Sequence, residues 1–282
     1  MDRIRQFLTG SNLWVAFAVA CWCLLDHHTF NIYGIQYALF AGAATGVSYI
    51  YMRMMQISKY AGEVSSAKVF VRDNSRVSIF LSFIYAFVAS LMFMSIFSWK
   101  LIILLVPAGL ISLLYPVVFD HPGRAYTSLR TFPGLKIFLI SFVWMYVTYL
   151  VPEMVWYGFD WLDLPEALFR MLFVVALTIP FDIRDIGKDD PRLRTLPQIF
   201  GVVNSLHISR FLVFLYEVWV VISFMAGHRS LGEMLAWIAG FELASFLLKG
   251  VGKNVSDGYV SFYVEGIPIF ISILLVLVHF IV

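Results

Sequence analysis

Apolar runs of about 20 residues recur from one end of this chain to the other, and each is long enough to cross a bilayer. Of the 282 residues, 61% are hydrophobic and 13% are charged. A soluble domain is roughly 45–50% apolar and about 25% charged. Because the excess is spread along the whole chain, one buried core cannot explain it. The sequence therefore predicts an all-α, polytopic membrane protein built as a single transmembrane domain over residues 1–282.

Nine membrane spans are predicted from these runs. They cover residues 12–26, 34–55, 77–98, 100–119, 134–152, 165–183, 206–226, 231–249 and 265–282. The first run has basic residues before it and small residues within it, as a secretion signal does. Because eight further spans follow, we interpret it as a retained helix.

The distribution of basic residues predicts the orientation in the membrane. The chain has 20 Lys and Arg residues, and all except Lys100, Arg170 and Arg229 lie at the N-terminus or in the even-numbered connections. Basic residues accumulate on the cytoplasmic side of membrane proteins. We therefore expect a cytoplasmic N-terminus and an external C-terminus, in a bacterial cytoplasmic (inner) membrane. The net charge of +2 gives no reason to expect a nucleic-acid partner.

The connection after the sixth span, FDIRDIGKDDPRLRTLP, is unusually rich in charge. If the helix continues past Pro180, then Asp182, Asp185 and Asp189 fall within an arc about 60° wide. Stacked carboxylates repel one another, but a divalent cation reverses that effect. Mg²⁺ typically takes one or two carboxylates together with the oxygens of a substrate phosphate. The alternative is a solvated polar loop whose acids and bases cancel, and the spacing alone does not decide between the two.

The same stretch resembles a family motif. FDIRDIGKDDPRLRTLPQIFG is similar to the second aspartate-rich motif of the UbiA-type membrane prenyltransferases, D-x-x-D-x-x-x-D followed by a basic-Thr-Leu-Pro turn. Asp182, Asp185 and Asp189 match the aspartates, and Arg194 to Pro197 with Gly201 match the turn. Tyr115 with Pro116, and the segment LRTFPGLKIFLISFVW, add weaker agreement. The resemblance covers nearly the whole chain and implies a nine-helix bundle around a lateral apolar cavity.

The resemblance also implies a function. Members of this family transfer an isoprenyl group from a prenyl diphosphate to a lipophilic acceptor, using Mg²⁺ held by two aspartate motifs. The metal-binding residues implied here are Asp182, Asp185 and Asp189. The diphosphate-binding residues expected beside them, on the same side of the membrane, are Arg53, Lys59, Lys68, Arg130, Lys136, Arg184, Lys188 and Arg194.

The first aspartate motif of the family is missing. Where N-D-x-x-D-x-x-x-D is expected, near residues 48–60, the chain reads SYIYMRMMQISKYAGE, and the nearest acids are Glu63 and Asp73. Three interpretations stay open. Basic residues replace one metal and preserve the transfer; the protein binds an isoprenoid or quinone-like lipid without turnover; or the second motif survives only as structure. A transporter is a further, weaker alternative.

Two glutamates and one glycine-rich stretch complete the candidates. Glu217 and Glu242 lie within predicted spans, where ionisable groups usually face the bundle interior and serve function. A helix-packing contact is the alternative role for both. The stretch GVGKNVSDG over residues 250–258 lacks the spacing and the strand–helix context of a phosphate-binding loop, and we do not interpret it as one.

Overall fold

The computed structural model describes residues 2–57, 66–117, 119–121, 124–127, 129, 134–188 and 193–281. Within these ranges the all-α prediction is confirmed, with one short antiparallel hairpin added between the sixth and seventh helices. The helices are α1 (Asp2–Gly10), α2 (Leu13–Trp22), α3 (Ile32–Ile57), α4 (Ser66–Asp73), α5 (Ser75–Ser95), α6 (Trp99–Leu114), α7 (Leu135–Met145), α8 (Leu164–Arg184), α9 (Leu196–Met225), α10 (Leu231–Lys249) and α11 (Ile267–Ile281). The hairpin pairs β1 (Phe119–His121) with β2 (Arg124–Thr127). Wider π-helical turns extend α7 as far as Tyr157 and precede α11 over Tyr259–Val264.

The protein is an integral membrane protein. In the described part of the chain, six helical segments are long and apolar enough to span a bilayer, and two shorter apolar helices, α2 and α6, accompany them. The six are Ser75–Ser95, Leu135–Tyr157, Leu164–Arg184, Leu196–Met225, Leu231–Lys249 and Tyr259–Phe280. Each of the nine predicted spans overlaps one helix, but a total of nine crossings stays a prediction.

Two predicted span boundaries differ from the structure. The fourth span was expected to reach residue 119, but α6 ends at Leu114 because Pro116 cannot continue a helix. The seventh was expected to begin at 206, whereas α9 begins at Leu196. Its start is explained locally, since the Gln198 side chain accepts a hydrogen bond from the backbone N–H of Thr195 at 2.9 Å. Gly201 then kinks α9 with a φ of 76°, a conformation that glycine adopts at little cost.

Helix α8 lies at the centre of the bundle, whereas α5 lies at its surface. Phe173 on α8 is fully buried and packs against Trp22 and Phe241. On α5, by contrast, Phe83 and Phe87 are exposed. In a membrane protein such exposed apolar side chains contact lipid tails. The side chains that α8 carries are therefore the ones most isolated from the surroundings.

A proline lies near the end of this central helix. Pro180 has no backbone N–H, so the carbonyl of Ala176, four residues earlier, loses its usual helical donor. The hydroxyl of Ser209 on α9 donates to that carbonyl at 2.7 Å. A neighbouring hydroxyl is one way in which membrane helices tolerate proline, and here the contact joins α8 to α9 inside the core.

Charged residues cluster at the beginning of α8. Glu166 accepts hydrogen bonds from Arg170, Tyr216 and Trp219 at 2.6–2.9 Å, and Arg229 forms an ion pair with it at 2.8 Å. Arg170 is 1% exposed. It also contacts both carboxylate oxygens of Asp26, at 2.8 and 2.6 Å. We call this end of the bundle the far end, and the end where α8 finishes the aspartate end.

Candidate functional site: the aspartate end

Helix α8 passes Pro180 and ends at Arg184, one residue beyond the predicted sixth span. Asp182 lies in α8, but Asp185 has left the helix, with φ −95° and ψ 4°, and residues 185–188 form turns. The supposed continuation to Asp189, which would align the three aspartates on one helix face, is therefore not formed at Asp185. Gly187 disfavours helix, and stacked carboxylates would repel. Asp189 itself lies outside the described residues.

Asp182 is the more buried of the motif's two described acids. It is 2% exposed, because the central position of α8 places even its last turn inside the bundle. Lys136, in the first turn of α7, donates to its Oδ1 at 2.6 Å. The Lys136 side chain is 12% exposed. This ion pair joins the start of α7 to Asp182, while a diphosphate-binding role for Lys136 stays a prediction.

Asp185 is bound by its neighbour in the chain. Arg184 donates through Nε and Nη2 to the two oxygens of Asp185, at 2.9 and 2.8 Å. Burial alone would raise the pKa of the Asp185 carboxyl, but the hydrogen bonds and charge of Arg184, with Lys136 and Lys188 further away, hold that pKa below its usual value. The carboxylate is therefore ionised at neutral pH and available to a cation.

The segment before α11 supplies acids that sequence reasoning missed. Arg184 forms an ion pair with Asp257 at 3.2 Å and donates to Ser261 at 3.2 Å, and Lys188 lies 3.9 Å from Asp257. Glu265 interacts electrostatically with both Arg53 and Arg184. Asp257 belongs to the stretch that does not fit a phosphate-binding loop. Asp257 contributes a carboxylate to the aspartate end. The sequence signal that could have suggested it is a lone acid before an apolar run.

The end of α3, where the family carries its first aspartate motif, is basic. Helix α3 contains no acidic residue between Ile32 and Ile57. Its Arg53 donates to the backbone carbonyls of Thr9 and Gly10 at 3.2 and 3.3 Å. The carboxylate near Arg53 is instead that of Glu265, which lies just before α11. The described part of α3 therefore supplies no metal ligand.

Of the remaining predicted site residues, the structure describes three and leaves three outside its described ranges. Lys68 is half-buried on α4, Lys188 lies in the turn after α8, and Arg194 is exposed with a left-handed φ of 46°. Lys59, Arg130 and Asp189 lie outside the described residues. The diphosphate contacts of all these residues stay predictions.

The donor set at the aspartate end fits Mg²⁺ shared with a phosphate. Asp182 and Asp185 offer hard oxygens, and Mg²⁺ ordinarily takes one or two carboxylates plus substrate phosphate and water. Among the described residues, these two aspartates form no group of three ligands close enough to hold an ion by themselves. A metal here would therefore need a substrate to complete its ligands and would displace Lys136 or Arg184 from its carboxylate.

Glu217 and Glu242 lie away from this site. Glu242 is exposed and Glu217 is half-exposed, and the two interact with each other electrostatically. The expectation that they face the bundle interior is wrong, because the buried positions of α9 and α10 are taken by Tyr216 and Phe241. Neither glutamate contributes to the aspartate end.

Comparison with known proteins gives matches in structure alone. A scan against protein-family models and a search of curated proteins give no match. Among solved structures, the chain is similar to a UbiA homolog from Archaeoglobus fulgidus bound to GPP and Mg²⁺, with a TM-score of 0.62 and 13% identity over 97% of this chain and 99% of that one. It is also similar to a structure of digeranylgeranylglyceryl phosphate synthase in membranes, with a TM-score of 0.57 and 13% identity over 100% of both chains. At this identity, coverage of the whole chain establishes a shared fold.

Proposed function

We propose that this chain, an integral membrane protein with the UbiA-type fold, binds a prenyl diphosphate with Mg²⁺ at the aspartate end and transfers the prenyl group to a lipophilic acceptor. The observation that carries the proposal is the pair of ion pairs at the end of α8, Asp182 with Lys136 and Asp185 with Arg184. They bring two carboxylates and two cations close together at the end of the central helix.

The side chains present suit a leaving diphosphate. Asp182 and Asp185, joined by Asp189, would hold the metal, which when bound supplies positive charge to the departing phosphate oxygens. Lys136 and Arg184, which pair with these carboxylates, would donate hydrogen bonds to the phosphate. Lys188 and Arg194, together with Arg53, Lys59, Lys68 and Arg130, are the further diphosphate contacts of the proposal. The apolar bundle would shield the prenyl group from water.

The proposal includes a topology. The chain forms a single transmembrane domain over residues 1–282. In this proposal, the aspartate end faces the cytoplasmic side of a bacterial inner membrane and the C-terminus lies outside. The excess of Lys and Arg in the connections at that end supports this orientation. A soluble diphosphate would then reach the site from the cytoplasm, and the acceptor would arrive through the lipid.

A second candidate is a non-catalytic protein that binds an isoprenoid or quinone-like lipid. The observation favouring it is the absence of acids along α3 between Ile32 and Ile57, which leaves the described part of α3 without a metal ligand. On this account Arg53, with Lys68 nearby in sequence, binds the phosphate directly. The two candidates share a binding site and differ in turnover.

A binding titration tests the binding site that the two candidate functions share. The purified protein is titrated with geranyl and geranylgeranyl diphosphate, with and without Mg²⁺, beside the variants Asp185→Asn and Asp73→Asn. Asp73 is an exposed acid paired with Arg72 on α4, and it serves as the matched control. We expect Mg²⁺-dependent binding that weakens at least tenfold, about 1.4 kcal/mol, in Asp185→Asn and is unchanged in Asp73→Asn.

The outcomes separate the candidates. Release of diphosphate in the presence of extracted membrane lipids supports the transferase, and binding without release supports the lipid-binding protein. Binding that ignores Mg²⁺ and survives Asp185→Asn would assign the phosphate to basic residues. If neither diphosphate binds under any of these conditions, the transferase is wrong, and a structural or lipid-binding protein without a phosphate site is left.

A further inference from the structure

A second group of potential metal ligands lies at the far end, remote from the aspartates. Asp26 follows α2, His28 lies in the short turn that comes next, and Glu153 lies in the π-helical extension of α7. Glu166 and Asp182 mark the two ends of α8, and 16 residues of helix separate them by about 24 Å. This group is therefore a different site from the one proposed for the diphosphate.

The three side chains converge. One donor atom from each of Asp26, His28 and Glu153 lies within 4.8 Å of the others, and His28 Nε2 is 2.8 Å from Glu153 Oε1. In a tetrahedral site with bonds of about 2.1 Å, ligand atoms lie about 3.4 Å apart. Small side-chain rotations would therefore bring all three onto one ion.

The backbone of this group is fixed by further contacts. Thr29 donates through its hydroxyl to the Asp26 carbonyl at 2.6 Å, and Asn31 donates to the His28 carbonyl at 2.7 Å. Asn31 also reaches the Tyr157 hydroxyl, at 3.0 Å. These bonds tie the turn carrying Asp26 and His28 to the extension of α7 that carries Glu153. The ligands are thus held close together before any ion binds.

The charges of the far end leave this group negative. Three carboxylates, Asp26, Glu153 and Glu166, face two guanidinium groups, Arg170 and Arg229. Glu166 is fully engaged by both arginines and by two aromatic donors. With His28 neutral, the three carboxylates exceed the two guanidinium groups by one negative charge. Because Glu166 is fully engaged, this charge belongs to the pair Asp26 and Glu153. The His28 side chain is 38% exposed and opens this side to the surroundings.

We propose that Asp26, His28 and Glu153 form a binding site for a divalent transition-metal cation of the Zn²⁺ class. One imidazole and two carboxylates form a mixed nitrogen–oxygen ligand set that suits Zn²⁺, whereas Mg²⁺ takes oxygen ligands. Arg170 serves as a positioning residue, since its Nη2 donates to both oxygens of the Asp26 carboxylate and fixes its orientation. Water completes the coordination from the exposed side of His28. The site does not depend on the function proposed for the aspartate end.

Metal titration of the purified protein tests the site. The protein in detergent is stripped with EDTA, desalted, and titrated with Zn²⁺ against a fluorescent zinc chelator, in excess Mg²⁺ at pH 7.5. We expect one Zn²⁺ per chain, with affinity falling by about 10–100-fold or more in His28→Ala and in Glu153→Gln, since even outer-shell changes cost that much. His207→Ala removes an exposed histidine of α9 and Asp73→Asn an exposed acid of α4, and both should bind Zn²⁺ as the unchanged protein does.

Each outcome decides the question. Glu153→Gln preserves the shape of the side chain, and a single symmetric size-exclusion peak shows that each variant is folded. Loss of Zn²⁺ affinity in both ligand variants, with both controls unchanged, supports the site. The absence of stoichiometric Zn²⁺ binding overturns it, and so does binding that survives both ligand variants.

Discussion

The two ends of α8 hold their charges in different ways. At the far end, Glu166 is surrounded by two arginines and two aromatic donors, and Arg170 is buried against two carboxylates. At the aspartate end, Asp182 and Asp185 each pair with a cation beside a turn, and these cations are less deeply buried than Arg170. The first arrangement is a closed structural network. The second is a set of ion pairs that a ligand could rearrange.

The largest expected effect comes from breaking the closed network. Arg170→Met removes the ion pair of Asp26 and leaves Glu166 with Arg229 as its cation, so two carboxylates share one guanidinium, and we expect the free energy of unfolding to fall by about 3–5 kcal/mol. Thermal unfolding in detergent measures it. The matched control is Arg72→Met in the exposed pair with Asp73, where both side chains are more than half exposed; there the change should stay within about 1 kcal/mol. Equal stability of the two variants would contradict the structural role of the far end.

A smaller effect sharpens the contrast at the other end. Lys136→Met leaves Asp182 without its 2.6 Å partner, and we expect a loss of about 1–3 kcal/mol. Mg²⁺ with geranylgeranyl diphosphate should restore much of this loss, because a ligand that binds only the folded state stabilises it. Arg170→Met should gain only this general stabilisation by the ligand, whereas in Lys136→Met the metal would also compensate the charge of Asp182. Failure of the ligand to rescue Lys136→Met would argue against exchangeable ion pairs.

An uncharged contact between the two ends should matter less. Ser209→Ala removes the donor to the Ala176 carbonyl, and hydrogen bonds between membrane helices average about 0.6 kcal/mol. Ser205→Ala is the control, because Ser205 is equally buried on α9 and its hydroxyl has no partner in the described structure. Unfolding in mixed micelles compares the two, and a larger loss in Ser205→Ala would refute the role assigned to Ser209.

The smallest change in stability is expected for acids that belong to neither the far-end network nor the ion pairs of the aspartate end. Glu217 and Glu242 lie outside both clusters and repel each other. Glu217→Gln and Glu242→Gln should each change stability by no more than about 0.5 kcal/mol and leave diphosphate binding unchanged. Chemical unfolding beside Glu166→Gln, which disrupts the far end, provides the comparison. A large loss in either variant would show that a buried partner of these glutamates exists.

Local patterns predicted the fold well. Hydrophobic run length predicted the helices, and the predicted end of the sixth span lies within one residue of the end of α8. The end of α6 at Leu114 and the start of α9 at Leu196 were missed, although Pro116 and the Thr-Leu-Pro sequence gave local signals. The continuation of the helix to Asp189 is not formed at Asp185, since spacing cannot show whether Asp185 bonds to a metal or to the adjacent arginine.

The sites could be predicted only in part. Asp182 and Asp185 were found because the motif that contains them is contiguous. The partner of Asp182 is 46 residues away, and Arg170 meets Asp26 across 144 residues, so one sequence offers no means of pairing them. Arg170 was counted among the few basic residues of the external side. Its burial depends on the packing of α8 and α9, which periodicity does not specify.

The proline in α8 has a consequence for how the protein is made. The Ala176 carbonyl obtains its donor from Ser209, and Glu166 obtains partners from Tyr216 and Arg229, all of which follow α8 in the chain. When α8 leaves the ribosome, the Ala176 carbonyl lacks this donor and Glu166 has Arg170 of its own helix without the later partners, so the helix is poorly suited to lipid. We therefore expect α8 to stay close to the insertion machinery until α9 and the start of α10 have been synthesised. The central helix of the bundle would then be among the last to settle into the membrane, although it lies in the middle of the fold.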